Sequence, residues 1–205
     1  MKYYVAGAVL LSVLLGCKSI GQKPSFSSTG DGSNITMSEL VPDAIPGTKA
    51  MLVLGGVRAP VEIVSTKKDD VLTLDLRAHG ASFETESYSV KPTEFGVSDA
   101  GGESFTPPIP LVKSPMKIGD SWTWKGSMMS GISRPAEATI SSKIDKVYSE
   151  DGLQEDALLI EVKLKMDSGT KAPAERRLAF YFAKGKGVLK REIGSGSTRL
   201  PDDGK

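Results

Sequence analysis

The chain has 205 residues, enough for one domain with a sizeable core, and its 26 Lys and Arg nearly balance its 25 Asp and Glu. Phosphate binding needs clustered excess positive charge, so the composition argues against a nucleic-acid partner. With Cys17 as the single cysteine and His79 as the single histidine, the chain can form no internal disulfide and lacks the ligands for a structural zinc site. No calcium-loop or phosphate-loop spacing occurs either, so we expect neither a metal nor a cofactor.

The amino-terminal residues 1–17 have the three-part pattern of a secretory signal. Lys2 precedes an uncharged apolar run that is too short to span a bilayer, and the small residue Gly16 stands before Cys17. The stretch Leu14-Leu15-Gly16-Cys17 resembles the lipobox of bacterial lipoproteins. The resemblance implies that Cys17 receives a diacylglyceryl group, that signal peptidase II cuts before it, and that the new amino terminus is acylated. The alternatives are an ordinary cleaved signal peptide, which Leu14 fits poorly, and an uncleaved anchor.

This resemblance implies a location in the cell envelope. Two or more acyl chains, including palmitate, would hold the mature chain stably, whereas one chain binds a membrane weakly and reversibly. The second mature residue would be Lys18, not the Asp that retains lipoproteins in the inner membrane of enteric bacteria. In a host with two membranes we therefore expect the outer membrane, with the protein facing the periplasm or the surface.

Residues 17–47 are predicted to form a lipidated, flexible tether. Gly, Ser and Pro crowd this segment and large apolar residues are few, which is typical of a spacer. Residues 36–40 could form one helical turn with Thr36 or Ser38 as its cap.

From residue 48 to residue 194 the sequence predicts an antiparallel β domain, followed by a polar tail at 195–205. Apolar residues alternate in residues 61–65 and 72–76 around a polar turn, which predicts a hairpin. Residues 158–166 give the clearest half-buried strand, with Leu158, Ile160, Val162, Leu164 and Met166 on one face. The alternation in residues 136–144 slips phase before Val147, which predicts a bulge or bend.

The middle of the chain is less regular. Residues 107–115 contain four prolines, which should keep them out of a helix and out of any central strand. Gly119-Asp120 then predicts a turn into a strand whose Trp122 and Trp124 share one face.

The second half of the chain, residues 110–192, is similar to uncharacterised extracytoplasmic β-sheet domains of bacterial lipoproteins. The likeness rests on Gly119-Asp120-Ser121-Trp122-Thr123-Trp124, two long strands, and an aromatic strand, Phe180-Tyr181-Phe182, before Gly185 and Gly187. It implies an antiparallel meander and carries no catalytic residue across. Half-barrel lipoprotein carriers of acyl chains fold their sheet around helices, which this sequence lacks.

The candidates for chemistry are few. Trp122 and Trp124 could form a platform for a sugar or an apolar ligand, although core packing is favoured for at least one of them. His79 stands beside a turn, where a surface role is the more common one. Three Ser-x-x-Lys matches, at Ser65, Ser114 and Ser168, fall outside predicted helices and are read as chance, so we assign no catalytic residue.

The sequence therefore predicts one all-β domain, an antiparallel meander curved into a sandwich or open barrel. For function it favours a membrane-anchored envelope lipoprotein that is a non-enzymatic binding or structural module, with an envelope protein or glycan as partner. The alternatives are a carrier of an apolar ligand in a sheet cavity and an envelope hydrolase that uses carboxylates. A polar cleft with two facing carboxylates would favour the hydrolase, an enclosed apolar cavity the carrier, and a filled core the binding module.

Overall fold

The structure is a computed structural model that describes residues 9–14, 26, 34–41, 48–54, 57–148, 154–169, 172–185 and 187–195. These residues form one short helix, α1 (Met37–Leu40), and twelve strands. The strands are β1 (Val9–Leu14), β2 (Thr48–Leu54), β3 (Val57–Lys68), β4 (Val71–Ala78), β5 (Ala81–Lys91), β6 (Glu94–Ala100), β7 (Glu103–Lys113), β8 (Ser121–Ser130), β9 (Ile132–Tyr148), β10 (Gln154–Met166), β11 (Ala174–Ala183) and β12 (Gly187–Ser195).

The strands follow one another as an antiparallel meander, which confirms the predicted all-β fold. The ten strands from β3 to β12 each pair with the next along the chain and form one curled, half-barrel sheet. Strand β2 extends the sheet beyond β3, and β1 pairs antiparallel with both β2 and β12. The hydrogen-bonded strand order of the chain therefore closes on itself.

The main core fills the concave face of this sheet. Alternation along β10 places its five predicted apolar residues on that face, and all five lie in the main core cluster: Leu158, Ile160, Val162, Leu164 and Met166. The next strand contributes Leu178, Phe180 and Phe182 to the same cluster. Tyr88 stacks on Phe95, with ring centroids 5.2 Å apart, and meets Phe180 edge-on. Aromatic rings from β5, β6 and β11 thus pack together inside the curl.

The convex face of β9, β10 and β11 is buried as well, which the sequence did not predict. Leu159 and Tyr181 are fully buried there and cluster with Val147. The predicted bulge before Val147 is wrong, because β9 pairs with β10 in an unbroken register from Ala136 to Tyr148. The phase of the apolar pattern changes because Ile144 packs against the main core, whereas Val147 belongs to the separate convex cluster.

Most of the proline-rich segment belongs to β7, between β6 and β8, which corrects the prediction that its prolines would keep it out of any central strand. Pro107, Pro108 and Pro110 lie within β7, whereas Pro115 follows it, and the ladder between β7 and β8 covers only the three residues from Ser104 to Thr106. Proline lacks the amide hydrogen that would continue such a ladder. The indole Nε1 of Trp124 instead donates to the carbonyl oxygen of Pro107 at 3.1 Å, and that of Trp122 donates to Pro110 at 2.8 Å. Side-chain donors therefore join the two strands where backbone donors are missing.

Part of the predicted tether packs on the domain. Ile35 exchanges two backbone hydrogen bonds with Met116, of 2.7 and 3.1 Å, and α1 follows with Met37 and Leu40 buried in the main core. Thr36 is its N-cap, as the sequence suggested, and the amide of Thr36 donates to Glu39 at 2.8 Å. The described residues 34–41 thus belong to the domain and not to a free spacer. The rest of residues 17–47, apart from Phe26, lies outside the described residues.

These contacts distinguish the two ends of the sheet. We call the end with the β7–β8 and β11–β12 connections the plugged end, because Ile35 bonds to Met116 in the first connection and the amide of Gly185 in the second donates to Glu39 at 2.7 Å. The distal end has the turns β4–β5, β6–β7 and β8–β9, because successive turns of a meander alternate between ends.

Truncating Trp124 should destabilise the domain strongly. Its side chain is 5% exposed and packs edge-on against Phe105, so Trp124→Ala should lower the free energy of unfolding by about 3–5 kcal/mol. Urea denaturation measures this loss. Thr123→Ala is the matched control, because Thr123 is exposed and should change stability by less than about 0.5 kcal/mol. A wild-type midpoint for Trp124→Ala would contradict the core assignment.

Candidate functional site: buried charges on both faces of the sheet

The concave face contains an ion pair inside the apolar core. Arg191 on β12 contacts Glu86 on β5, and each side chain is 1% exposed. Cross-strand pairing explains how both reach the core: Glu86 stands opposite Leu74, and Arg191 stands opposite Phe180. Strands β5 and β12 are not neighbours in the sheet, so this pair spans the space enclosed by the curl.

Two further groups complete this concave charge cluster. Tyr88 donates its hydroxyl to Glu86 Oε2 at 2.6 Å, and Arg191 Nη2 lies 3.5 Å from Glu84 Oε1. Glu84 Oε1 also accepts a hydrogen bond from the amide of Gly101 at 2.8 Å. The cluster therefore joins β5, β12 and the β6–β7 turn at the distal end.

Burial sets the protonation of this cluster. It raises the pKa of Glu86 above the usual value, although the charge of Arg191 and the Tyr88 hydroxyl act in the opposite direction. Burial also raises the pKa of Tyr88 well above its usual value, and the Glu86 charge adds to this effect, so the phenol stays protonated and donates. For Arg191 burial lowers the pKa, but the interactions with Glu86, Tyr88 and Glu84 together more than offset this, so the pKa is raised and the guanidinium stays charged.

A second concave pair lies between β7 and β11. Arg176 Nε donates to Glu103 Oε1 at 3.1 Å, and the Glu103 side chain is buried. Strands β7 and β11 are also separated in the sheet, so this bond too connects distant strands across the curl. Both arginines thus tie the last strands of the meander to its middle.

The convex face has its own charge cluster, centred on Arg177. Its Nε donates to Glu161 at 2.6 Å and its Nη1 donates to Glu192 at 2.9 Å, so it joins β10, β11 and β12. Tyr181 donates to Glu192 at 3.2 Å, and Lys190 lies 3.0 Å from the same carboxylate and over the Tyr181 ring. Burial raises the pKa of Glu161, but the hydrogen bond and the charge of Arg177 act in the opposite direction. The pKa of Glu161 is therefore below its usual value.

These buried charge clusters are better suited to holding strands together than to catalysis. A buried carboxyl with a raised pKa is a familiar general acid, but it must be able to reach a substrate. Glu86 is enclosed by Arg191, Tyr88 and the core, and Glu161 and Glu192 are bound to Arg177. Within the described ranges, no group of three or more His, Cys, Asp or Glu side chains is placed to hold a metal ion.

The two candidate platform residues lie on one face of β8, as the sequence predicts. Trp124 packs in the main core, and Trp122 is half-buried against it. Both indole N–H groups are occupied by proline carbonyls, so a ligand would meet only the partly exposed ring of Trp122. The neighbouring Met128 is buried and Met129 is exposed, which follows the strand alternation.

The other candidates lie apart from the buried charges. His79 is exposed in the β4–β5 turn with a φ of 51°. Ser114 accepts a hydrogen bond from the amide of Met37 at 3.2 Å, and Ser168 donates to the carbonyl of Ala172 at 2.6 Å. Cys17 lies outside the described residues. In the part of the chain that is described, no helix is long and apolar enough to cross a membrane.

Sequence reasoning did not single out Arg191, Glu86 or Arg177. A signal was present in β5, where Glu84 and Glu86 alternate in phase with Tyr88 and therefore point to the same face. A charged residue in phase with core residues must find a buried partner, because an isolated buried charge is too costly. The partner is more than a hundred residues away in sequence, and only the curl of the sheet brings it close.

Removing the Arg191 guanidinium should destabilise the domain strongly. Arg191→Met leaves Glu86 buried without its cation, and we expect a loss of about 3–5 kcal/mol in the free energy of unfolding at pH 7. The double variant Arg191→Met/Glu86→Gln should recover part of this loss, as measured in urea. Lys125→Met is the control, because its ion pair with Glu137 is exposed and worth less than about 1 kcal/mol. Equal losses in the single and double variants would show that the charge pair is not the cause.

The convex cluster should make stability depend on pH. The folded pKa of Glu161 is below its usual 4.5. The stability that Glu161 contributes is therefore present above pH 4.5 and is lost as the pH falls through the folded pKa. Glu161→Gln should therefore lower the urea midpoint at pH 7 and have a smaller effect at pH 3. Glu137→Gln, at an exposed position, should have little effect at either pH. An undiminished effect of Glu161→Gln at pH 3 would contradict this account.

Comparison with known proteins identifies no relative. No protein-family model matches the chain, and no significant match was found among curated proteins or solved structures. The fold, the two charge clusters and the amino-terminal sequence are therefore the basis on which a function is proposed.

Proposed function

We propose that this chain is a membrane-anchored lipoprotein of the cell envelope whose β domain is a non-enzymatic binding or structural module. The proposed anchoring is supported by the sequence Leu14-Leu15-Gly16-Cys17, in which Cys17 is also the only thiol of the chain. A lipid on Cys17 is the link to the membrane, and the domain would contact an envelope protein or glycan.

The buried charges support a module over an enzyme. The carboxylates of Glu86, Glu161 and Glu192 are bound to arginines and enclosed by the fold, so they are poorly placed to act on a substrate. Large apolar side chains occupy the concave face, among them Phe180, Phe182 and Leu111. A polar cleft, an enclosed apolar cavity and a filled core would each favour a different function, and this arrangement fits the filled core best.

Cleavage before Cys17 would change the sheet. Strand β1 lies before the cleavage site, and it pairs with β2 along six residues and with β12 along four. The mature chain would therefore lack β1, and β2 and β12 would each have one unpaired edge. All other strands lie after the cleavage site.

Replacing the proposed lipidation site tests the anchoring. Cys17→Ala removes the thiol that would be acylated, so the precursor should be neither lipidated nor cut by signal peptidase II. Intact mass spectrometry of the membrane fraction should show a diacylglyceryl mass on the wild-type chain and an unmodified precursor for the variant. Ser19→Ala is the control and should be processed normally. A mature, membrane-bound Cys17→Ala chain of normal size would contradict the proposal.

A further inference from the structure

Phe26 fixes where the amino-terminal chain meets the domain. Its side chain is 3% exposed and belongs to the main core cluster. The ammonium of Lys184, in the β11–β12 connection, lies 5.4 Å from the centre of its ring, and the same ammonium lies 3.5 Å from Glu39. Phe26 and residues 34–41 therefore pack at the same end of the sheet, the plugged end.

We propose that the plugged end faces the bilayer and that its polar rim lies against the lipid headgroups. This inference rests on the proposed lipidation of Cys17 and adds an orientation to it. Between Cys17 and Phe26 the chain advances by nine residues. Such a chain spans at most about 30 Å when fully extended, and its root-mean-square length as a flexible coil is about 17 Å.

The length of the chain between Cys17 and Phe26 is close to the distance between the two ends of the sheet. Strand β8 has ten residues and runs from the plugged end to the distal end, a distance of about 30 Å at the usual rise per residue. A lipid on Cys17 would reach the distal end only if the chain before Phe26 were fully stretched along the sheet. Conformational entropy opposes such stretching, so the plugged end is held nearer to the membrane.

The residues of the two ends agree with this orientation. The plugged end carries polar groups of both signs, including the exposed Lys113 and Lys117, and in the described residues neither lysine forms an ion pair. Such a rim suits a headgroup surface, where lysine side chains are attracted to anionic lipid. The distal end exposes Met129 and Ile132, by 51% and 58%, whereas the plugged end exposes Val71 by 47% beside the polar Asp69 and Asp70. In this orientation Met129 and Ile132 point away from the bilayer, and Val71 lies at the headgroup rim.

Energy transfer from single labelled positions to the membrane tests the orientation. A lipidated Cys17 has no free thiol and the chain has no other cysteine, so a cysteine introduced at Lys117→Cys or Ser130→Cys takes the donor dye alone. Both residues are exposed, the first at the plugged end and the second at the distal end. The mature protein is placed in vesicles of phosphatidylcholine and phosphatidylglycerol that contain an acceptor-labelled lipid. Transfer from position 117 should be at least about twofold higher than from position 130, given their separation of about 30 Å.

A longer tether provides the matched control. Twenty Gly and Ser residues inserted after Gly21 leave Phe26 in place but raise the root-mean-square reach to about 30 Å, so transfer from the two positions should converge. Equal transfer from the two positions in the chain without the insertion would overturn the orientation alone. Higher transfer from position 130 would show that Met129 and Ile132 face the lipid. An intact mass without lipid on Cys17 would overturn the anchoring, and the orientation with it.

Discussion

The ion pair between Arg191 and Glu86 is the constraint on which the curl of the sheet depends. A meander satisfies its backbone hydrogen bonds locally, and these bonds do not determine how far the sheet curls. A charge placed on the concave face by strand alternation is tolerable only beside its partner, because unpaired burial costs several kcal/mol. Arg191 on β12 therefore requires β5 to lie opposite it. In the same way, the pair of Arg176 with Glu103 requires β7 to lie opposite β11. Apolar packing fills the space, and the charges specify which strands face each other.

The junction between β7 and β8 shows a second way in which this fold satisfies polar groups. Prolines stop the ladder after Thr106, which leaves backbone carbonyls without amide partners. Trp122 and Trp124 supply the missing donors while their rings pack against the core. Gly126 allows this approach, because a Cβ there would collide with the Thr106 carbonyl and the Trp124 ring. Two tryptophans in one strand are thus explained by the prolines of the neighbouring strand.

The sequence was sufficient for the fold class and for most strands, because their alternation is local and the turns contain Gly and Asp. It failed where a pattern had two explanations. The phase change before Val147 suggested a bulge, but a strand with cores on both faces produces the same pattern. The prolines argued against a central strand because the indole donors could not be foreseen. Arg191 and Glu86 were overlooked for a different reason, since no local pattern connects residues on β12 with residues on β5.

The position of Cys17 relative to these interactions decides what the proposed processing would leave. Strand β1 lies before it, whereas the main core cluster of the described residues, from Phe26 to Ile193, lies after it. The charges that pair across the curl also lie after it, as do the residues that pack at the plugged end. Cleavage would therefore remove the backbone ladders of β1 to β2 and β12, and none of the core side chains among the residues whose burial the structure describes. Arg191 and Arg176 would keep their partners after such cleavage, so removal of β1 is compatible with a folded, anchored module.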